Sequence, residues 1–165
     1  MPKNIRIKPH HFVDIVTYYG ADSLRLTPHP YGHDWHVVAR RVVEEPEATL
    51  QLEFGMDDIC APCRHNLGTD CDDVIDISSR PTAPASKQAY NLLLDQRWCA
   101  RLGLADGQRL PAAEMLARLA ALEGSLDAIY AEMASGANDE RLRNLKAGAR
   151  KLLARAGYPA RGPSG

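Results

Sequence analysis

The chain has 165 residues, 45% of them hydrophobic and 25% charged, which is enough for one domain with its own core. A formal net charge of −1 gives no general attraction for nucleic acid or an anionic membrane. No apolar run approaches the roughly 18 residues of a spanning helix, and MPKNIRIKPHHF lacks the apolar core of a signal peptide, so a cytoplasmic protein is expected.

NIRIKPH alternates Ile5 and Ile7 with polar residues and predicts a short strand. Pro9 can open a helix whose stripe is Phe12, Ile15, Val16 and Tyr19, with Gly20 as its stop. LTPHPYGHD reads as a turn-rich loop. DWHVVARRVVEE predicts a second helix, with Trp35, Val38 and Val42 inward and Pro46 just past its end. ATLQLEF alternates Leu50, Leu52 and Phe54, a second strand that can pair with the first. SSRPTAPAS is an irregular connection, after which Ser86 caps a helix from Lys87 to Arg101, ended by Gly103. Met115, Leu119, Leu122, Leu126, Ile129 and Met133 keep helical spacing, broken in two at Gly124 and Ser125. NDERLRNLKAGARKLLARAG predicts an amphipathic helix with Leu142, Leu145, Ala149, Leu152 and Leu153 on one face. The expected architecture is mainly α within the α+β class. It has five to six helices, a minimal two-stranded sheet and a cysteine-rich loop, in one domain over 1–158 with a flexible tail at 159–165.

The loop DDICAPCRHNLGTDCDD holds three of the four cysteines. Cys60 and Cys63 form C-x2-C, Cys71 follows, and Cys99 stands in the last turn of the Lys87 helix. In a reducing compartment thiols serve more often as ligands or catalysts than as bridges. Four thiolates complete a cubane iron–sulfur cluster or a tetrahedral zinc site, and the iron–sulfur reading is preferred. A redox pair is the third alternative, and Cys99 has the further alternative of a small buried hydrophobe. The aspartates around the loop read mainly as turn and helix caps, with Asp58 kept as a proton-handling candidate.

Five of the six histidines precede residue 37. His10 and Asp14 are four apart and share a helix face, where the carboxylate could fix the imidazole. His10, His11, Asp14 and Asp58 are the candidate catalytic residues. His29, Tyr31, His33 and His36 are the candidate substrate contacts, in a turn-rich segment suited to lining a pocket. If the two strands pair in parallel, His10 and His11 emerge beside the cysteine loop.

IRIKPHHFVDI followed by DDICAPC resembles the bacterial and archaeal family called domain of unknown function 1284, over roughly residues 5 to 75. The resemblance marks Lys8, Pro9, His10, His11, Asp57, Asp58, Ile59 and Cys60, and implies a small iron–sulfur protein with no assigned reaction. Where the family often has a cysteine, this chain has Asp14, so its ligand set must differ. The expectation is a cluster, [4Fe-4S] in type, on Cys60, Cys63, Cys71 and Cys99. Its function would be that of an enzyme using an iron as Lewis acid toward a small-molecule substrate, or of an electron carrier or redox sensor. The other alternative is a zinc-stabilised binding module presenting Arg141, Arg143, Lys146, Arg150, Lys151 and Arg155 to phosphates.

Overall fold

The computed structural model describes residues 3–157, so the tail expected at 159–165 lies outside the described residues. The elements are β1 (Asn4–Ile7), α1 (Pro9–Gly20), α2 (Trp35–Glu44), β2 (Thr49–Leu52), α3 (Lys87–Leu102), β3 (Arg109–Pro111), α4 (Ala112–Ala120) and α5 (Ser135–Arg155). The fold is α+β, with five helices among the described residues around a three-stranded sheet ordered β1-β2-β3.

Alternation forms the first two strands. Ile5, Ile7, Leu50 and Leu52 are fully buried, and their neighbours on the other face are not. Each such side chain contributes about 1.5–3 kcal/mol by leaving water. β1 and β2 pair in parallel, Ile5 opposite Leu50 and Ile7 opposite Leu52, so α1, the following loop and α2 form the crossover between them. The third strand is too short to announce itself: β3 buries only Leu110 and lies antiparallel to β2 with Leu110 opposite Leu50.

The helices follow their apolar faces. Phe12, Val13, Ile15 and Val16 of α1 are fully buried, as are Leu145 and Ala149 of α5. Pro9 occupies the first turn of α1, where its missing N–H costs nothing. The Ser86 hydroxyl accepts from the Ala89 amide at 3.2 Å, and Gly103 closes α3 in the left-handed conformation at φ 68°.

Three sequence expectations change. The residues after Gly124 (φ 77°) are turns and not a second helical half. Their backbone groups are held by side chains from elsewhere: Arg101 donates to the Glu123 and Ser125 carbonyls, and Lys146 donates to that of Leu122. Leu126 and Ile129 still reach the core. The last helix starts at Ser135, ahead of the predicted Asn138. Gly20 ends α1 without a left-handed φ; its role is a close approach.

That approach joins α1 to α5. A Cβ on Gly20 would lie 1.9 Å from the Asn144 carbonyl oxygen, and one on Gly148 would lie 2.0 Å from the Val16 carbonyl oxygen. Backbone, not a flexible side chain, stands in the way. Gly148→Ala should therefore force the helices apart and destabilise the fold by about 1–3 kcal/mol or more. Gly136→Ala, in the first turn of α5 with nothing within 4 Å, should be neutral or slightly stabilising. Urea denaturation of the two variants checks the contrast.

Candidate functional site

The site begins at the end of β1. Ile7 bonds toward β2 through its carbonyl, which accepts from the Glu53 amide at 3.1 Å, so Arg6 points its backbone to the opposite edge. There the chain of the cysteine loop crosses. The Asp58 amide donates to the Arg6 carbonyl at 3.1 Å, and the Asp58 carboxylate accepts from the Arg6 amide at 2.9 Å. Asp58 is thereby committed to the strand edge, and it does not line the cleft described below.

Asp57, next to it, is only 1% exposed and holds the start of α1 against the cysteine turn. One carboxylate oxygen accepts from the Lys8 amide and from His11 Nδ1, both at 2.7 Å. The other accepts from the amides of Ile59 at 3.1 Å and Cys60 at 3.0 Å. Burial opposes the charge on Asp57, but the charge of His11 and these bonds outweigh it and hold its pKa well below the usual carboxylate range. With Nδ1 tied to Asp57, His11 keeps Nε2 for a proton or a ligand. His11, Asp57 and Cys60 present ligand atoms that all lie within 4.8 Å of one another, the one such group found among the described residues.

The loop then folds on itself. Cys63 donates its amide to the Cys60 carbonyl at 2.9 Å, closing the C-x2-C turn, and Asn66 Nδ2 donates to the same carbonyl at 3.2 Å. Gly68, at φ 102°, turns the chain back so that Cys71 bridges Asn66 in antiparallel fashion. The preceding loop is tied on by two backbone bonds: the Asp34 amide donates to the Ile59 carbonyl at 3.0 Å and the Arg64 amide to that of Tyr31 at 2.9 Å.

The result is a cleft of about 960 Å³ between these loops, α1, α3 and α5. It is lined by Cys60, Cys63 and Cys71, by His10, His11 and Asp14, and by His29, Tyr31 and His33. Cys99 is not brought there. It is 5% exposed, packs in the hydrophobic core, and burial pushes its thiol up to about 11. His36 does not line the cleft either; its Nδ1 is buried without a hydrogen-bond partner. His29 and His33 stack with ring centroids 4.4 Å apart, and burial together with the His29 charge lowers the pKa of His33. Tyr31 meets the His65 ring edge at 4.5 Å and carries the Arg64 guanidinium at 4.5 Å.

The partner of His10 is not the one spacing suggests. Asp14 shares its helix face, but the hydrogen bond goes to Asp95 of α3: both the amide and Nδ1 of His10 lie 2.8 Å from one Asp95 oxygen. Asp95 is fully buried and α3 packs on α1, so the longer-range partner wins. Asp14 makes no side-chain hydrogen bond among the described residues; burial raises its pKa, with His10 and Arg141 opposing. Burial first and the Asp57 charge second push the Cys60 thiol up to about 12, so at neutral pH Cys60 keeps its proton unless a cation replaces it.

Lys8, which the resemblance marks, and Arg141, named above as a phosphate contact, also line the cleft, together with Arg80, Tyr90 and Tyr130, which the sequence left unranked. Tyr130 accepts from the Trp98 indole at 3.1 Å, and burial pushes its hydroxyl pKa well up. On α5, three of the six cations proposed for phosphate are engaged by other groups. Arg141 turns into the cleft, Lys146 holds the Leu122 carbonyl, Lys151 pairs with Asp22 and Arg155 meets the Tyr19 hydroxyl. No helix among the described residues is long and apolar enough to cross a membrane.

The His10–Asp95 pair gives the fold a pH dependence. Burial works against the imidazolium, but the Asp95 charge and hydrogen bond outweigh it, so the folded pKa lies above the unfolded value of about 6.5. This contribution to stability is whole below that value and is lost as pH rises through the raised pKa. Asp95→Asn should cost about 3 kcal/mol at about pH 6 and flatten the fall in stability as pH rises above that. Denaturant midpoints of both proteins across that range check it.

The chain matches no protein-family model, no curated protein and no solved structure.

Proposed function

We propose that this protein binds an iron–sulfur cluster in the His-lined cleft, on Cys60, Cys63 and Cys71, with Asp14 as the fourth protein donor. The observation that carries this reading is that three thiols line a single cleft with one carboxylate that makes no side-chain hydrogen bond among the described residues, while the fourth thiol stays in the core. Thiolates and a carboxylate are donors that suit iron, and Asp14 occupies the position where the family resembled in the sequence often carries cysteine. When bound, such a group supplies electron transfer or, at an iron not closed by cysteine, Lewis acidity toward an oxygen or sulfur atom.

The surrounding side chains support an enzyme more than a bare carrier. Asp57 orients His11 and leaves its Nε2 to accept or deliver a proton within the cleft. Asp95 favours the charged form of His10, which adds positive charge near the thiols. Tyr31, His29 and His33 form a polar wall that can orient a small molecule.

A second reading, zinc held by cysteines together with His11, is favoured by one feature. His11 and Cys60 already stand within 4.8 Å of each other, and Asp57 behind the imidazole is the arrangement common around zinc-ligating histidines. Both oxygens of Asp57 already accept two bonds each, so it orients the ligand and is not itself one.

Anaerobic purification with metal and acid-labile sulfide analysis decides. The expected protein is brown, with iron and sulfide in near-equal amounts. Cys60→Ala, Cys63→Ala and Cys71→Ala should lose the chromophore; Cys99→Ala should keep it, and Asp14→Cys should keep it with an altered spectrum. Stoichiometric zinc without sulfide would establish the second reading in its place.

A further inference from the structure

Four arginines are ion-paired with glutamates among the described residues. Arg6, Arg97 and Arg118 are ion-paired with Glu53, Glu132 and Glu114 at 2.7–2.9 Å, and Arg41 with Glu45 at 3.3 Å. Arg80 and Arg141 form no ion pair among the described residues, and both line the cleft. Each carries a buried N–H with no acceptor: Nε of Arg80 and Nη1 of Arg141. Both are fixed against aromatic rings. The Arg141 guanidinium lies 3.8 Å from the Tyr130 ring centre and that of Arg80 lies 5.4 Å from that of Tyr90. A third cation is more deeply buried: Lys8 is 1% exposed, lines the same cleft, and its ammonium forms no hydrogen bond or ion pair among the described residues. The lining holds five cationic side chains (Lys8, Arg25, Arg80, Lys87, Arg141) against two carboxylates, and one of these, Asp73, is engaged by Lys87 at 3.0 Å.

Buried donors without acceptors are rare in folded proteins because each has given up its hydrogen bonds to water, and they point to a missing acceptor. Lys8 is close enough to His10 and Cys60 for its charge to bear on both, so an anionic centre at the thiols would account for Lys8 alone. The charge of Arg141 bears on Asp14, yet no ion pair closes between them.

We infer that the cleft binds a small organic or inorganic oxyanion, a carboxylate or a phosphate group, gripped by Arg80 and Arg141 with Lys8 adding charge. A planar guanidinium set against a tyrosine ring holds its N–H donors in a fixed fork, which suits such an oxygen pair. This names the substrate class of the proposed site, but it rests on the cations and not on whether the cysteines hold iron.

The test is titration calorimetry of the full, anaerobically isolated protein with inorganic phosphate, with succinate and with neutral glycerol, its iron and zinc content being measured on the same sample. Phosphate or succinate should bind and glycerol should not; which of the two binds more tightly identifies the group. Arg141→Gln and Arg80→Gln should each weaken binding at least about tenfold, while Arg150→Gln, an exposed residue of the same helix as Arg141, should not. Far-UV spectra and thermal unfolding identify the folded variants. If Arg141→Gln fails to fold, Arg80→Gln and Lys8→Met carry the comparison. The inference is overturned if neither anion binds more tightly than about 10 mM, or if the folded variants bind as the parent does. An iron-loaded protein that ignores both anions would sink this inference and leave the cluster reading standing; anion binding by an iron-free protein would do the reverse.

Discussion

The carboxylate of Asp57 is the constraint on which the site depends. Its two oxygens accept four hydrogen bonds, from the first turn of α1 on one side and the cysteine turn on the other. Burying an ionised carboxylate costs several kcal/mol, and charge-assisted bonds of about 1.5–3 kcal/mol each offset it. Because one group satisfies both segments, Lys8, His11 and Cys60 keep a fixed relation to one another. The pairing of Arg6 with Asp58 along the free edge of β1 sets the register that delivers Asp57 to that place. A slip of one residue there would turn Asp57 out and Asp58 in.

The helices provide the other half of the cleft. Gly20 and Gly148 let α1 and α5 touch backbone to backbone, and Arg141 stands seven residues, about 10 Å, before Gly148 along α5. The close contact therefore governs where the guanidinium reaches. Asp95 of α3 binds His10 and ties the third wall to the start of α1. Asp14, on α1, lines the cleft and feels the charges of both His10 and Arg141. The chemistry proposed for the cleft uses two sets of side chains, donors for a metal centre and donors for an anion.

Most local structure could be read from the chain. Alternation at Ile5, Ile7, Leu50 and Leu52 marked two strands. The Pro9 start, the Ser86 cap and the Gly103 stop marked helix ends, because those signals act over a few residues. β3 was missed because three residues with one buried side chain carry no period. The stretch after Gly124 was misread because its apolar spacing fits a helix, whereas its carbonyls are claimed by Arg101 and Lys146 from distant elements.

For the site, the sequence alone determined that the thiols cluster, that histidines precede them, and that a strand end joins the two, since C-x2-C spacing and strand-to-helix punctuation are local facts. Only the tertiary structure decided which groups meet. It paired His10 with Asp95 and not Asp14, made Asp57 the organiser and left Asp58 on the strand edge, kept Cys99 in the core, and turned Arg80 and Arg141 inward. The His10–Asp95 and His11–Asp57 pairings join residues 85 and 46 positions apart, where burial and unmet hydrogen bonds act through the packed whole and leave no periodic trace along the chain.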